Sequence, residues 1–538
     1  MTSESPLDAT RAEEAWWKHA VIYQVYPRSF QDSNGDGVGD LAGVIARLDY
    51  LVALGVDAVW LSPIFCSPMD DFGYDVSDHT AIDPLFGDMS DFRRLVAEAH
   101  SRGLRVILDY IPNHTSDRHS WFKESRAARA SRKRDWYVWR DPAPGGGAPN
   151  NWVSEFGGSA WTWDEATSQY YYHGFLRSQP DLNWRNPEVV EAMLDVLRFW
   201  LDEGVDGFRV DAIHFLFEDE SLTDDPPNPH WHEGMPPTER VLRDHSLDQP
   251  EVHDAVALMR RLCDSYEDER VLIGEAYLPI ERLMAYYGGA LDGFHLPFNF
   301  HLITTPWTPT SISILVEAYE SKLPNGGWPN WVLGNHDRHR IASRVGRDQA
   351  RAAAMLLLTL RGTPTLYQGD ELGMTNGDIA PDQVRDPWEL NMPGLGLGRD
   401  PVRTPMLWDE SPNAGFSAAS PWLPLNADWS ARHAAGQADD PASILNLYRR
   451  LIALRRREPA LSLGDYKALA ATDQVLAYER RFGARRLGVA LNLSGEPAAI
   501  AGMTGRVLLS THATDVGAAL TGRLDLAPNE GLLFEFDR

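Results

Sequence analysis

Short apolar runs alternate with amphipathic helical stretches along most of this chain, and that rhythm restricts the fold more than any other feature. The runs fall at 21–26, 57–61, 105–110, 206–210, 271–274, 293–296, 330–333 and 364–367. A helix pattern covers 41–54, with Asp40 as N-cap and Val44, Ile45, Leu48, Leu51 and Leu54 on one face. Another opens near Ser90, carries Phe92, Leu95, Val96 and Ala99 inward, and stops at Gly103. A third begins with Asn186 as cap and Pro187 in the first turn, and ends at Gly204. Repeated strand-then-helix units imply a parallel sheet, and eight of them predict a closed (β/α)8 TIM barrel, an α/β fold. A doubly wound open sheet is the competitor. No glycine-rich phosphate-binding turn follows the first run, which disfavours it.

Two segments break the rhythm. Residues 113–183 are too long for a βα loop and are rich in Trp, Tyr, Gly and Pro, so they read as a small inserted domain after the third strand. Residues 213–250 form a long acidic, Pro-rich excursion after the fourth, as lids and binding loops do. From about 460 the pattern changes to strand-like pieces at 475–478, 486–493, 506–509 and 532–536, which predict a C-terminal antiparallel β-sandwich. The expected division is a barrel over 1–112 and 184–459, an inserted domain over 113–183, and the C-terminal domain over 460–538.

Charge narrows the partners. Fifty Lys and Arg against 77 Asp and Glu give a net charge of −27. Such a surface repels phosphates and anionic lipid, so neither nucleic acid nor membrane is an expected partner. The longest strongly apolar stretch, 352–360, is nine residues, far too short to span a bilayer. The first 15 residues are polar and acidic and do not read as a secretory signal, so the expected location is the cytoplasm. With only Cys66 and Cys263, no disulfide framework is expected.

Ionisable residues cluster where a barrel builds its active site, at the C-terminal ends of the strands. The third run ends in Asp109 and leads to Asn113 and His114. The fourth ends in Arg209 and Asp211, the fifth in Glu275, and the seventh leads to His336 and Asp337. One carboxylate at a strand end is more often a helix cap, but three converging on one mouth are hard to explain that way. Two facing carboxylates suit glycosyl transfer or hydrolysis: one attacks the anomeric carbon, and the other protonates the leaving oxygen and then deprotonates water. Arg209 shares a strand face with Asp211 and is expected to keep it ionised. Desolvation after Val271-Leu272-Ile273 is expected to raise Glu275. Many of the 19 Trp, 18 Tyr and 19 Phe fall beside Asn, Asp and Gly, as in 150–152 and 158–161. Such aromatics suit the wall of a sugar site, and packing under long loops explains any single one equally well.

The strings VIYQVYPRSF (21–30), DFGYD (71–75), DYIPNH (109–114), GFRVD (207–211), Gly274-Glu275, NHD (335–337), QGDELG (368–373) and GRDPVRTPMLW (398–408) closely resemble the α-amylase family of glycoside hydrolases, in particular its α-glucosidase and oligo-1,6-glucosidase branch. The likeness runs from about Trp16 to Trp422. It implies that Asp211 is the nucleophile, Glu275 the acid/base, and Asp337 the carboxylate that holds sugar hydroxyls and distorts the ring. It implies that Asp71, Tyr74, His114, Arg209, His336 and Arg399 line a pocket for the non-reducing glucose, with Phe156 and Phe175 as walls. The implied activity is an exo-acting, retaining α-glucosidase on short oligosaccharides, with transglucosylation as a side reaction. In this branch Val after the nucleophile accompanies α-1,6 specificity; here the residue is Ala212, so α-1,4 substrates are expected. Oligo-1,6-glucosidase, sucrose hydrolase, trehalose synthase and sucrose isomerase share the same machinery and stand as alternatives. A catalytically dead binding subunit is disfavoured, because all three carboxylates are present. Departures from the family pattern occur at Arg338-His339-Arg340, Tyr110 and Pro112. The molecule is expected to be a monomer or weak homo-oligomer.

Residues 32–40, DSNGDGVGD, place oxygen-bearing side chains at alternate positions between glycines. That pattern wraps a hard cation such as Ca2+ or Mg2+, and it also makes ordinary Asn-Gly and Asp-Gly turns. An EF-hand is excluded by Gly43 at its twelfth position. The resemblance tips the reading to a structural cation held by Asp32, Asn34, Asp36, the Val38 carbonyl and Asp40. Other candidates read as bland: Cys66 lacks a paired base, Cys263 lies at core spacing, His230 and His232 are too few for a metal site, and Asp224-Asp225 reads as a solvated pair.

Overall fold

The computed structural model describes residues 14–512 and 516–537. Eight parallel strands close into a barrel: β1 (Ile22–Val25), β2 (Ala58–Leu61), β3 (Arg105–Tyr110), β4 (Gly207–Val210), β5 (Val271–Gly274), β6 (Leu296–Asn299), β7 (Asn330–Val332) and β8 (Thr363–Tyr367). Each pairs with its neighbours in sequence, and β8 returns to β1 with Ile22 opposite Thr365. The sixth strand is the one displaced from expectation. Residues 293–295 lead into it, and the paired segment starts at Leu296, where it meets Ile273 of β5.

Strand alternation divides the side chains between two cores. Ile22, Ala58, Trp60, Ile107, Ile273, Leu296 and Phe298 fill the barrel interior. Tyr23, Val59, Val106, Leu108, Phe208 and Leu272 face the helices. Gly207 is required by closeness: a Cβ there would lie 2.3 Å from the Val271 carbonyl oxygen.

The helices follow their caps. Asp40 accepts a hydrogen bond from the Gly43 amide and starts Leu41–Ala46. The expected single helix over 41–54 is two, because the chain turns at Arg47 (φ −109°) and restarts at Leu48–Leu54. Asp88 and Asp91 form a capping box on Met89–Ser101. Asn186 caps Pro187–Asp202.

Between β3 and β4 the chain adds helix Ser120–Ala127 and a three-stranded antiparallel sheet of Trp139–Arg140, Trp161–Asp164 and Gln169–Tyr172. The C-terminal antiparallel domain has six strands in one hydrogen-bonded sheet, from Asp465–Ala471 to Gly531–Phe536. Two of them, Asp465–Ala471 and Ala519–Leu526, have no counterpart in the sequence reading, since their apolar alternation is interrupted by Gly, Arg and Asp. One face of this sheet (Leu476, Tyr478, Val489, Leu533) joins the main core, and the other (Val475, Ala477, Leu524, Phe534) forms a separate one. Among the described residues, no helix is long and apolar enough to cross a membrane.

Candidate active site

Carboxylates gather at the top of the barrel because the ladder runs one residue past the strands. The Asp211 amide donates to the Tyr110 carbonyl (2.8 Å), and the Glu275 amide to the Val210 carbonyl (2.9 Å). Each carboxylate therefore starts from a fixed backbone position at the rim. Two residues below each, on the same face, lie Arg209 and Ile273.

Arg209 is the hub. It is buried, and its Nη1 meets Asp109 at 2.5 Å and Asp211 at 2.6 Å, while Nη2 meets Glu275 at 2.6 Å. Asp211 and Glu275 thus stand across the width of one guanidinium. Glu275 Oε2 also accepts the Ala212 amide at 2.9 Å. Ala212 takes the left-handed conformation, φ 40° and ψ 38°, which turns the chain back toward Glu275.

Two influences oppose each other at Asp211. Burial raises Asp211 to about 7, and Arg209 offsets only part of that because it also serves Asp109 and Glu275. Burial likewise raises Glu275 to about 7, as expected, with Asp211 and Asp337 adding to the rise and Arg209 opposing it. Asp337 behaves oppositely. Burial pushes it up, but the guanidinium groups of Arg403 at 2.8 Å and Arg399 at 3.4 Å outweigh burial and hold it below the usual carboxylate range, with the ring of His336 at 3.2 Å.

A cavity of about 250 Å3 opens above these groups. Asp71, Tyr74, His114, Phe156, Phe175, Asp211, Glu275, Asp337 and Arg399 all line it. Arg209 and His336 do not reach the wall. Arg209 lies beneath, over the Trp60 ring at 5.2 Å, and His336 is stacked on Tyr74 with ring centroids 5.4 Å apart. Both act on the cavity through what they hold. His336 Nε2 is 2.6 Å from the Tyr74 hydroxyl, and burial keeps its imidazole neutral.

The loop after β2 presents Asp71 and Tyr74 by folding around Asp75, which accepts the amides of Asp70 and Asp71 and the hydroxyl of Ser67. Arg399 ties Asp71 (2.7 Å) to Asp386 (2.6 Å). His114, held neutral by burial, donates from Nε2 to the Tyr74 carbonyl at 3.1 Å.

Several site residues escaped the sequence reading. Tyr277 lines the cavity two residues after Glu275, a spacing that could have found it, and stacks on Phe300 at 4.2 Å. Arg338, noted only as a departure from the family pattern, lies over the Tyr277 ring at 4.7 Å. Glu155, Phe215, Arg243 and Trp388 line the cavity from long connections that carry no periodic signal. Asp386 and Arg403, the ion partners of Arg399 and Asp337, escaped it as well. The Asp224-Asp225 pair also needs correction. Asp224 accepts the Asn151 amide, and Asp225 is buried and accepts the amides of His245 and Ser246, because the excursion folds back on the inserted domain.

The 32–40 loop lies apart, and none of its residues lines the cavity. Asp32 accepts the amides of Asn34, Gly35 and Gly37, Asn34 accepts that of Asp36, and Asp36 accepts that of Val38. Asp40 takes the Ser33 amide besides capping its helix. The donors of Asp32, Asn34, Asp36, Val38 and Asp40 are all hard oxygens, the right class for Ca2+ or Mg2+. Among the described residues, no three His, Cys, Asp or Glu side chains are gathered as a metal cluster. Cys66 and Cys263 are both free thiols. His230 and His232 are exposed.

Comparison with known proteins follows the same outline. Residues 24–464 match the family profile described as "Alpha amylase, catalytic domain". A probable alpha-glucosidase of Rhizobium meliloti (strain 1021) is 42% identical over 511 residues, 92% of each chain. An oligo-1,6-glucosidase of Parageobacillus thermoglucosidasius is 38% identical over 522 residues, covering 90% of this chain and 91% of its own. Among solved structures, the alpha-glucosyl transfer enzyme XgtA superposes with a TM-score of 0.92 at 42% identity, covering 97% of this chain and all of that one. The trehalulose synthase MutB of Pseudomonas mesoacidophila MX-45 gives 0.90 at 36% identity, with the same coverage.

Proposed function

The chain belongs to the α-amylase family and is a glycoside hydrolase of its α-glucosidase type, and from that premise we propose that it is an exo-acting, retaining α-glucosidase of short α-1,4-linked oligosaccharides. The observation that carries this reading is the pair of carboxylates, Asp211 and Glu275, bonded to opposite nitrogens of one buried guanidinium at the floor of one cavity. That closeness fits the double-displacement separation of about 5–5.5 Å better than the wider gap that admits a water between the two acids.

The chemistry follows from where the proton sits. Asp337, anionic throughout, and the Asp71–Arg399 pair accept and donate hydrogen bonds to the hydroxyls of the terminal glucose. The reactive form carries a proton on Glu275 and leaves Asp211 anionic. Asp211 attacks the anomeric carbon as Glu275 protonates the departing oxygen. Glu275, now a carboxylate, takes a proton from water, which releases glucose with its original α configuration. A sugar hydroxyl or alcohol in place of water gives transglucosylation. Proton NMR of the first products tests this: α-glucose appears before mutarotation, and β-glucose as first product would refute a double displacement.

Linkage rests on Ala212, which lines the cavity beside the nucleophile. A small side chain there leaves room for an α-1,4 neighbour. The expected order of kcat/KM is maltose above isomaltose. Activities of the oligo-1,6-glucosidase, sucrose hydrolase or isomerising type would appear as a preference for isomaltose, or as turnover of sucrose to glucose and fructose or to an isomer.

We propose in addition that the 32–40 loop holds a structural Ca2+ or Mg2+ through Asp32, Asn34, Asp36, the Val38 carbonyl and Asp40. The hard-oxygen donor set and the exposure of Asn34 and Asp36 support it. When bound, the ion would brace the loop that leads into helix Leu41–Ala46. The expected result is a melting temperature several degrees lower in EDTA than in millimolar Ca2+, with the difference abolished in Asp36→Ala. Equal melting temperatures in both would remove the ion from the account.

A further inference from the structure

Three connections that leave the barrel at different strands meet at one residue, Glu155. It belongs to the inserted domain after β3, where its amide donates to the Gly174 carbonyl at 2.8 Å. Its carboxylate pairs with Arg243, from the excursion after β4, at 3.0 Å. Its carbonyl accepts the Trp388 indole, from the connection after β8, at 2.7 Å. Glu155, Arg243 and Trp388 all line the cavity. Among the described residues no other carboxylate is paired with Arg243, whose guanidinium also faces the Phe215 ring at 5.7 Å.

We propose that the Glu155–Arg243 ion pair is a clasp that sets the far boundary of the pocket and so fixes the length of substrate it accepts: one terminal glucosyl group plus one compact leaving group, a second sugar ring or a small alcohol. The inference rests on the glucosidase reading above and adds the residues that decide chain length. Neither side chain touches the carboxylate pair, so each is a specificity residue and not a catalytic one. The clasp is held shut from outside the cavity. Asp225 fastens the amides of His245 and Ser246, two and three residues beyond Arg243, to the inserted domain through Asn151, which bonds the Asp225 carbonyl at 2.8 Å. A third sugar unit has to displace the pair and part the three connections. An acceptor of one ring fits beneath it.

The test compares kcat/KM for maltose, maltotriose and maltotetraose in the wild type, Glu155→Gln, Arg243→Ala and the charge-exchanged double variant Glu155→Arg/Arg243→Glu. The wild type should favour maltose. Each single variant should raise the maltotriose-to-maltose ratio at least tenfold, and the exchanged pair should return it toward the wild-type value. A ratio unchanged within twofold in both single variants overturns the proposal, as does a parallel loss on all three sugars without restoration in the exchanged pair, which marks a structural role. Calorimetric titration of glucose and maltotriose into Asp211→Ala with and without Arg243→Ala reads the same boundary without turnover. The added substitution should tighten maltotriose and leave glucose unchanged. A wild type that cleaves long chains as well as maltose overturns the clasp and leaves the glucosidase reading standing. A protein that binds neither sugar overturns both.

Discussion

Asp211 and Glu275 share burial and a guanidinium, both are raised by that burial, and their behaviour on titration follows from that. As pH rises through about 7, Glu275 loses the proton it must give and turnover falls. As pH drops below about 7, Asp211 gains a proton and turnover falls again. The expected kcat/KM profile, which reports the free enzyme, is bell-shaped and centred near neutrality. Glu275→Gln should remove the alkaline limb on an aryl α-glucoside with a good leaving group, and a limb that persists would assign it elsewhere. Asp211→Ala should lower turnover of the same substrate by more than about 10^4-fold. Azide should rescue the variant that lacks the nucleophile and deliver β-glucosyl azide; wild-type rates in Asp211→Ala would mean another residue attacks. Ala212 occupies a left-handed conformation that β-branched side chains resist, at a cost on the order of 1–3 kcal/mol. Ala212→Val should therefore lower stability and also narrow the maltose side of the pocket. The measurement is the isomaltose-to-maltose ratio of kcat/KM, which should rise.

Connections outside the barrel do at the level of elements what single residues do at its floor. The excursion after β4 looks in sequence like a solvated acidic loop, yet Asp225 within it is buried and binds two amides of its far end. Asp225→Ala leaves those amides without a partner, at about 1–3 kcal/mol. The loop should then become the first site of limited proteolysis, cut between 226 and 245 while the barrel stays intact. If digestion instead begins in the inserted domain or the C-terminal sheet, Asp225 is not what holds the excursion. The site residues at strand ends were legible because an apolar run followed by a charge at the period-two position is a barrel signature. Glu155, Arg243 and Trp388 were not, because each is placed by a contact between segments 88 to 233 residues apart and not by any local pattern.

At the scale of the whole molecule, buried acids couple folding to pH. Asp370, after β8, is fully buried with one carboxylate oxygen unpartnered, and burial raises it to about 7, beyond what Arg340 beside it offsets. The sign is that of a group whose native state binds more protons than the unfolded chain. Its contribution is fully present below the unfolded value near 4 and is lost as pH rises toward 7. Asp370→Asn carries no charge to bury. Its melting temperature relative to wild type should rise between pH 5 and pH 8, and parallel curves for the two proteins would show that Asp370 does not carry the effect. The net charge of −27 adds repulsion in the same direction as pH rises.

Local physics determined the barrel and its floor. Eight apolar runs that each need two buried faces, separated by one-sided helices, close only as a parallel barrel, and charges at the ends of those runs have only its mouth to occupy. The interior of that mouth was a matter of tertiary structure. Which guanidinium three carboxylates share, how far desolvation outruns it, and which distant loops lock over the sugar all depend on distances between segments far apart in sequence. Residue spacing along the chain carries no information about those distances.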